Sequence, residues 1–212
     1  MNKLFVLFIT LMSIVQLASA QVKGFKPVSD EAGFRKKFAA AATATQTIKS
    51  DFIQEKNLNI LNEKITSKGK FLFKKQNMVK MEYLNPFKYL MVINKDKITI
   101  KDDKKSNSFS SKSNKLFENI NKLVIDCVQG SALNNKDFTT SILESDKEFL
   151  LILIPKKKDM KSYFTKINIY IEKKDYSVDK MDMIEPTGDN TIITFINKVY
   201  NAAISDAEFV VK

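Results

Sequence analysis

Histidine is absent from this chain, and cysteine occurs once, at Cys127. This removes the commonest general base, the commonest metal ligand and any cysteine–histidine pair for nucleophilic attack. The five glycines form no phosphate-cradling loop, so nucleotide chemistry has no visible seat. Paired carboxylates occur at Asp102-Asp103 and at Asp179 with Asp182. Both pairs fall where a turn or an exposed strand face is expected, and solvated surface is the simpler reading. Cys127 sits among Leu123, Val124 and Val128, the setting of a small buried hydrophobe, and without a second cysteine no internal disulfide forms. No catalytic residue, metal site or cofactor is expected, and binding or carrying is favoured over catalysis.

What the chain offers instead is an apolar face. In Lys68 to Lys74, Phe71 and Phe73 alternate with Lys70, Leu72 and Lys74, the period-two signature of a half-buried strand. After a turn at Lys75-Gln76-Asn77, Val79, Met81 and Tyr83 alternate with Lys80 and Glu82. Asn85-Pro86 breaks that strand, and the wholly apolar Tyr89 to Ile93 suits a short strand covered on both faces or buried at a seam. Before them, Ile48 to Ile60 alternates with Ile48, Ser50, Phe52 and Gln54 on one side. Phe52, Phe71, Phe73, Val79, Met81, Tyr83 and Met91 are therefore candidates for lining a soft apolar cavity, free of polar groups that demand partners. The competing reading is an ordinary filled core.

Two helices must position that face. Ser29-Asp30-Glu31 is a helix start with acids in the first turn, followed by Phe34 and Phe38 on one face, and the helix should end near Thr47. The second, Asn114 to Gln129, carries Leu116, Ile120, Leu123, Val124 and Cys127 on one stripe and ends at Gly130. It interrupts a run of strands and needs an apolar surface to lie on, as a lid over the open end of the sheet would. Strands are expected at Lys97 to Lys101, Ser106 to Ser110, Asp137 to Glu144, Glu148 to Ile154, Tyr163 to Glu172, Val178 to Ile184 and Thr191 to Ile196. The total is about ten or eleven strands and two helices, in a strongly curved antiparallel sheet with helices in its concavity.

Of the 212 residues, 44% are hydrophobic, enough for one sizeable core. Residues 1–20 are set apart: Lys3, an apolar run from Leu4 to Val15 and the small-residue site Ala18-Ser19-Ala20 make a secretory signal peptide cleaved after Ala20. Residues 21–212 are then a single domain. The formal charge of +11 includes only Lys3 from the leader, leaving +10 on the mature chain. That balance favours anionic surfaces as partners, while export and the scatter of lysines over strand faces argue against nucleic acid.

The residues Phe52-x-Gln54, Gly69-x-Phe71-x-Phe73-x-Lys75-x-Asn77 and Met81-x-Tyr83, with the Ile98 strand, resemble the amino-terminal half of the LolA-type periplasmic carriers of outer-membrane lipoproteins. The resemblance implies an incomplete, unclosed antiparallel β-barrel with an N-terminal helix and a helical lid over an apolar cavity. It implies a monomeric periplasmic carrier that takes acylated lipoproteins from an inner-membrane releasing transporter to an outer-membrane acceptor. Where the family commonly has Arg-Pro after the second strand, this chain has Lys75-Gln76, so the family's lid-holding arginine becomes Lys75, a point charge bonding near Gln129 to Ala132. Gln21 stands where a lipidated acceptor would carry cysteine, which favours the soluble carrier. A carrier of another lipophile, such as a glycolipid or polyketide, and a non-carrying envelope-assembly module remain as alternatives.

Overall fold

The computed structural model describes residues 22–110, 113, 118, 122, 123, 125, 126 and 130–211. The proposed signal peptide and the lid positions Leu116, Ile120, Val124 and Cys127 lie outside them. Among the described residues, a 12-stranded antiparallel sheet runs in the order β1-β8-β9-β10-β11-β12-β2-β3-β4-β5-β6-β7. Its strands are β1 (Lys26–Pro27), β2 (Thr47–Leu58), β3 (Glu63–Lys74), β4 (Met78–Asn85), β5 (Tyr89–Asn94), β6 (Lys97–Asp102), β7 (Ser106–Ser110), β8 (Phe138–Glu144), β9 (Glu148–Pro155), β10 (Lys166–Glu172), β11 (Val178–Ile184) and β12 (Asn190–Tyr200). The edge strands β1 and β7 do not pair with each other, so the barrel stays open. The sheet is accompanied by α1 (Glu31–Ala44) and the single turn α2 (Lys158–Lys161).

Helix α1 begins where Asp30 accepts a hydrogen bond from the Gly33 amide at 2.8 Å, with Glu31 in the first turn. It ends at Thr45, whose hydroxyl donates to the Ala41 carbonyl at 2.9 Å. Phe34 and Phe38, each 2% exposed, anchor it on the β9–β10–β11 half of the sheet. The Phe34 ring centroid lies 4.5 Å from that of Phe149. Full burial of each phenylalanine contributes about 1.5–3 kcal/mol. A second apolar cluster belongs to β2 through β6, built on Phe52, Phe71, Phe73, Met81 and Ile98. Ile193 and Phe195 of β12 pack against both clusters and join them.

The apolar run of β5 is covered on both sides, as its composition requires. Its inner face carries Met91 and Ile93; on the outer face, Val92 packs with Met78 under Phe209, from the 3-10 turn Asp206–Phe209. Lys74 holds that turn in place, donating to the Ile204 carbonyl at 2.7 Å and to Asp206 at 2.6 Å.

Several boundaries differ from expectation. β10 starts at Lys166, because Tyr163 and Phe164 belong to the turn after α2, where their amides donate to the Met160 carbonyl. β12 runs on to Tyr200 through a bulge that interrupts its alternation. β1 is only two residues long and carries no periodic signal.

Candidate functional site

Directly opposed residues of an antiparallel sheet point to the same side. Ser50 faces Phe71, Phe71 faces Met81, and Met81 faces Met91, giving one continuous row across β2, β3, β4 and β5. Val79 and Ile93 form part of the next row. Across the β2–β12 seam the same side presents Ile193 and Phe195, then Met181 and Met183 of β11. Phe38, Ala41 and Ala42 of α1 roof this surface together with Leu123. The space left between is a cavity of about 330 Å³ with a predominantly apolar wall, at the small end of the range of ligand sites.

Of the predicted lining residues, Phe71, Val79, Met81 and Met91 border the cavity. Phe52, Phe73 and Tyr83 share their face but lie in the packed wall beside it. Phe52 sits edge-on to Tyr83 at 4.9 Å between ring centroids. The Tyr83 hydroxyl donates to Gln54 Oε1 at 2.9 Å, and burial, with the neighbouring Tyr89, pushes its pKa up to about 12. Gly69 makes room for Phe52, because a Cβ there would fall 2.7 Å from the ring.

From the predicted lid stripe, Leu123 is helical, 2% exposed and in contact with the cavity. The expected latch partners include Gln129, which lies outside the described residues. Lys75 Nζ donates to the Thr43 carbonyl at 2.6 Å, in the last turn of α1, where a cation complements the helix dipole. The segment that follows Leu123 is fastened by other groups. Arg35 Nη1 donates to the Leu133 carbonyl at 3.2 Å, and Asp126 accepts from Ser131 Oγ at 2.7 Å. Lys122 bonds Asp137 at 3.0 Å. Gly130, at φ 72°, approaches so closely that a Cβ would stand 3.0 Å from that of Ala42.

Sequence reasoning missed the polar end of the cavity. The β12–β2 register shifts between Ile196 and Val199, so Asn197 and Lys198 bulge opposite Ser50, and bulges commonly re-aim side chains at binding sites. Lys198 Nζ reaches Glu172 at 3.0 Å, Asp179 at 3.1 Å and Ser177 Oγ at 3.1 Å. Burial pulls this ammonium down, but the bonds from Glu172 and Asp179 outweigh it and leave its pKa above that of an ordinary lysine. Asp175, Ser177 and Tyr200 border the same end. Ser50 is 3% exposed and its hydroxyl has no hydrogen-bond partner among the described residues, a condition costing about 1–3 kcal/mol. Only Ser50's place on the inner face was visible in the β2 alternation; a bulge lysine among so many lysines carries no signal.

This arrangement is suited to holding an apolar chain with a polar end. Among solved structures, an uncharacterised conserved protein of Thermus thermophilus superposes with a TM-score of 0.50 at 10% identity, over 84% of this chain and 91% of that one. A LolA superfamily protein of Nitrosomonas europaea gives a TM-score of 0.46 at 7% identity, over 84% and 96% of the two chains. Lipoprotein LppX of Mycobacterium tuberculosis gives 0.47 at 9%, over 82% and 98%. Among curated proteins none matches the sequence. The model of the family described as outer membrane lipoprotein carrier protein LolA matches residues 43–212, which take in every strand of the cavity wall, and the chain therefore belongs to the LolA family.

Proposed function

We propose that this chain is a periplasmic carrier that shields lipoprotein acyl chains in the cavity beneath α1 and moves them between membranes. The observation that carries the reading is the cavity itself: an unfilled space of about 330 Å³ walled by Phe71, Met81, Met91, Met181 and Phe195. An ordinary core closes such a void, because an empty apolar space forfeits dispersion contacts. Each buried methylene of an acyl chain contributes about 0.8 kcal/mol, so a lipoprotein leaves a bilayer at a useful rate only into a replacement apolar site. Family membership adds weight to this reading. Among the described residues no helix is long and apolar enough to cross a membrane.

In this reading residues 1–20 direct export and are cleaved after Ala20. Cargo is received from an inner-membrane releasing transporter and handed to an outer-membrane acceptor, and the carrier works as a monomer. The test adds purified protein to spheroplasts and measures lipoprotein appearing in the soluble fraction as a complex with it. Release of newly made lipoprotein is the expected result. Failure to release any, by folded protein, would overturn the reading.

A further inference from the structure

We propose that the cavity selects acyl chains in neutral, esterified or amidated form, with the acyl carbonyl accepting a hydrogen bond from Ser50 Oγ. The proposal rests on the acyl-chain reading above and says which form of the chain fits. Ser50 is directly opposed to Phe71 in the strand register, so its side chain points to the cavity side while its backbone closes the sheet. Its hydroxyl is buried and has no partner among the described residues. An unfulfilled donor facing an apolar space is satisfied by whatever polar atom a ligand brings there.

The charges near Ser50 decide what that atom is. Ser50 lies at the end of the cavity where β2 and β11 begin and β12 ends, beside the bulge that carries Lys198. Lys198 would attract an anion, but Glu172 and Asp179 already bond it. Asp175, at the same end, is turned to the Ser177 amide, which it meets at 2.9 Å. The charged groups that line this end, Lys198 and Asp175, are both already bonded within the protein, so neither is left to pair with an anion. A free fatty acid would bury its carboxylate there without a counterion, whereas an ester or amide carbonyl carries no charge and still accepts from Ser50. The remaining chain then runs along Phe71, Met81 and Met91.

Three ligands separate the possibilities: methyl laurate, laurate and dodecane, each displacing the neutral fluorophore N-phenylnaphthylamine from the full-length folded protein. Expected are tighter binding of methyl laurate than of laurate by wild type, and a roughly five- to tenfold weaker methyl laurate affinity in Ser50→Ala, the size of one neutral hydrogen bond. Dodecane affinity should be unchanged or improved in that variant, and Ser50→Thr, which keeps a hydroxyl on a strand, should restore the preference for ester. Equal ester affinity in wild type and Ser50→Ala, with dodecane still bound, overturns the carbonyl assignment and leaves the acyl cavity standing. Laurate bound as tightly as its ester overturns the charge argument. Binding of none of the three overturns both the inference and the acyl reading beneath it.

Discussion

Arg35 Nη1 donates to the carbonyl of Leu133 at 3.2 Å while the same guanidinium meets Glu31 at 2.7 Å. Arg35 is the sole arginine of the chain, so its fork ties the 3-10 turn Ser131–Asn134 to α1 in a way no lysine here can. Arg35→Lys should therefore quicken amide exchange at residues 131–134 several-fold and cost about 1 kcal/mol at this half-exposed site. Exchange measured by mass spectrometry checks this. Unchanged protection would assign the fastening to Gly130 and Asp126 alone.

Met81 stands in the middle of the cavity row, 8% exposed. Met81→Glu should destabilise the fold by about 2–4 kcal/mol and abolish uptake of an apolar probe at neutral pH. Burial raises a carboxyl pKa, so uptake should partly return as pH falls and the group becomes neutral. Probe titrations at several pH values would show it; full uptake at neutral pH would mean that Met81 is not part of the binding wall.

Gly69 faces Phe52 across the β2–β3 ladder. A Cβ there meets the Phe52 ring at 2.7 Å and also the Glu82 backbone, which does not yield as a flexible side chain does. Gly69→Ala should lower stability by about 1–3 kcal/mol through overpacking. The urea midpoint measures it, and a midpoint equal to wild type would contradict the close packing.

Glu144 accepts from Lys173 Nζ at 2.9 Å and from the Ser29 amide at 3.1 Å. Those bonds hold its pKa at about 2, against an ordinary value of 4.5. On acidification the unfolded chain takes up this proton first. The stability it confers is thus complete above the ordinary value and drains away as pH falls towards 2. In Glu144→Gln that portion of the acid dependence should vanish from urea midpoints taken across the same window; an acid limb of undiminished slope would assign it to other carboxylates.

Strands β2, β3, β4 and β6 were legible because each alternates over a single buried face, and β5 because its unbroken apolar run marks a strand covered on both sides. Alternation reports the face and not the depth. That is why Phe52, Phe73 and Tyr83 were grouped with Phe71 and Met81, although α1 and Leu123 leave the void over only part of the row. The β12 bulge hid Lys198, because an inserted residue cancels the period that would have placed it. The partner of Lys75 was not legible for a different reason. A motif position carries a residue type but not a partner, and Lys75 finds a carbonyl of α1 nearer to hand.

Strands β2 to β7 form one meander and β8 to β12 another, and the two share a single ladder, β2 with β12. The cavity straddles that ladder, with Phe71, Met81 and Met91 on one side and Met181 and Met183 on the other. Under the proposed carrier role, cargo lying across it would brace the two leaves against each other over their common ladder. Calorimetry of the empty protein should then show a broader melting transition than that of the loaded one, in which the occupant makes both leaves unfold together.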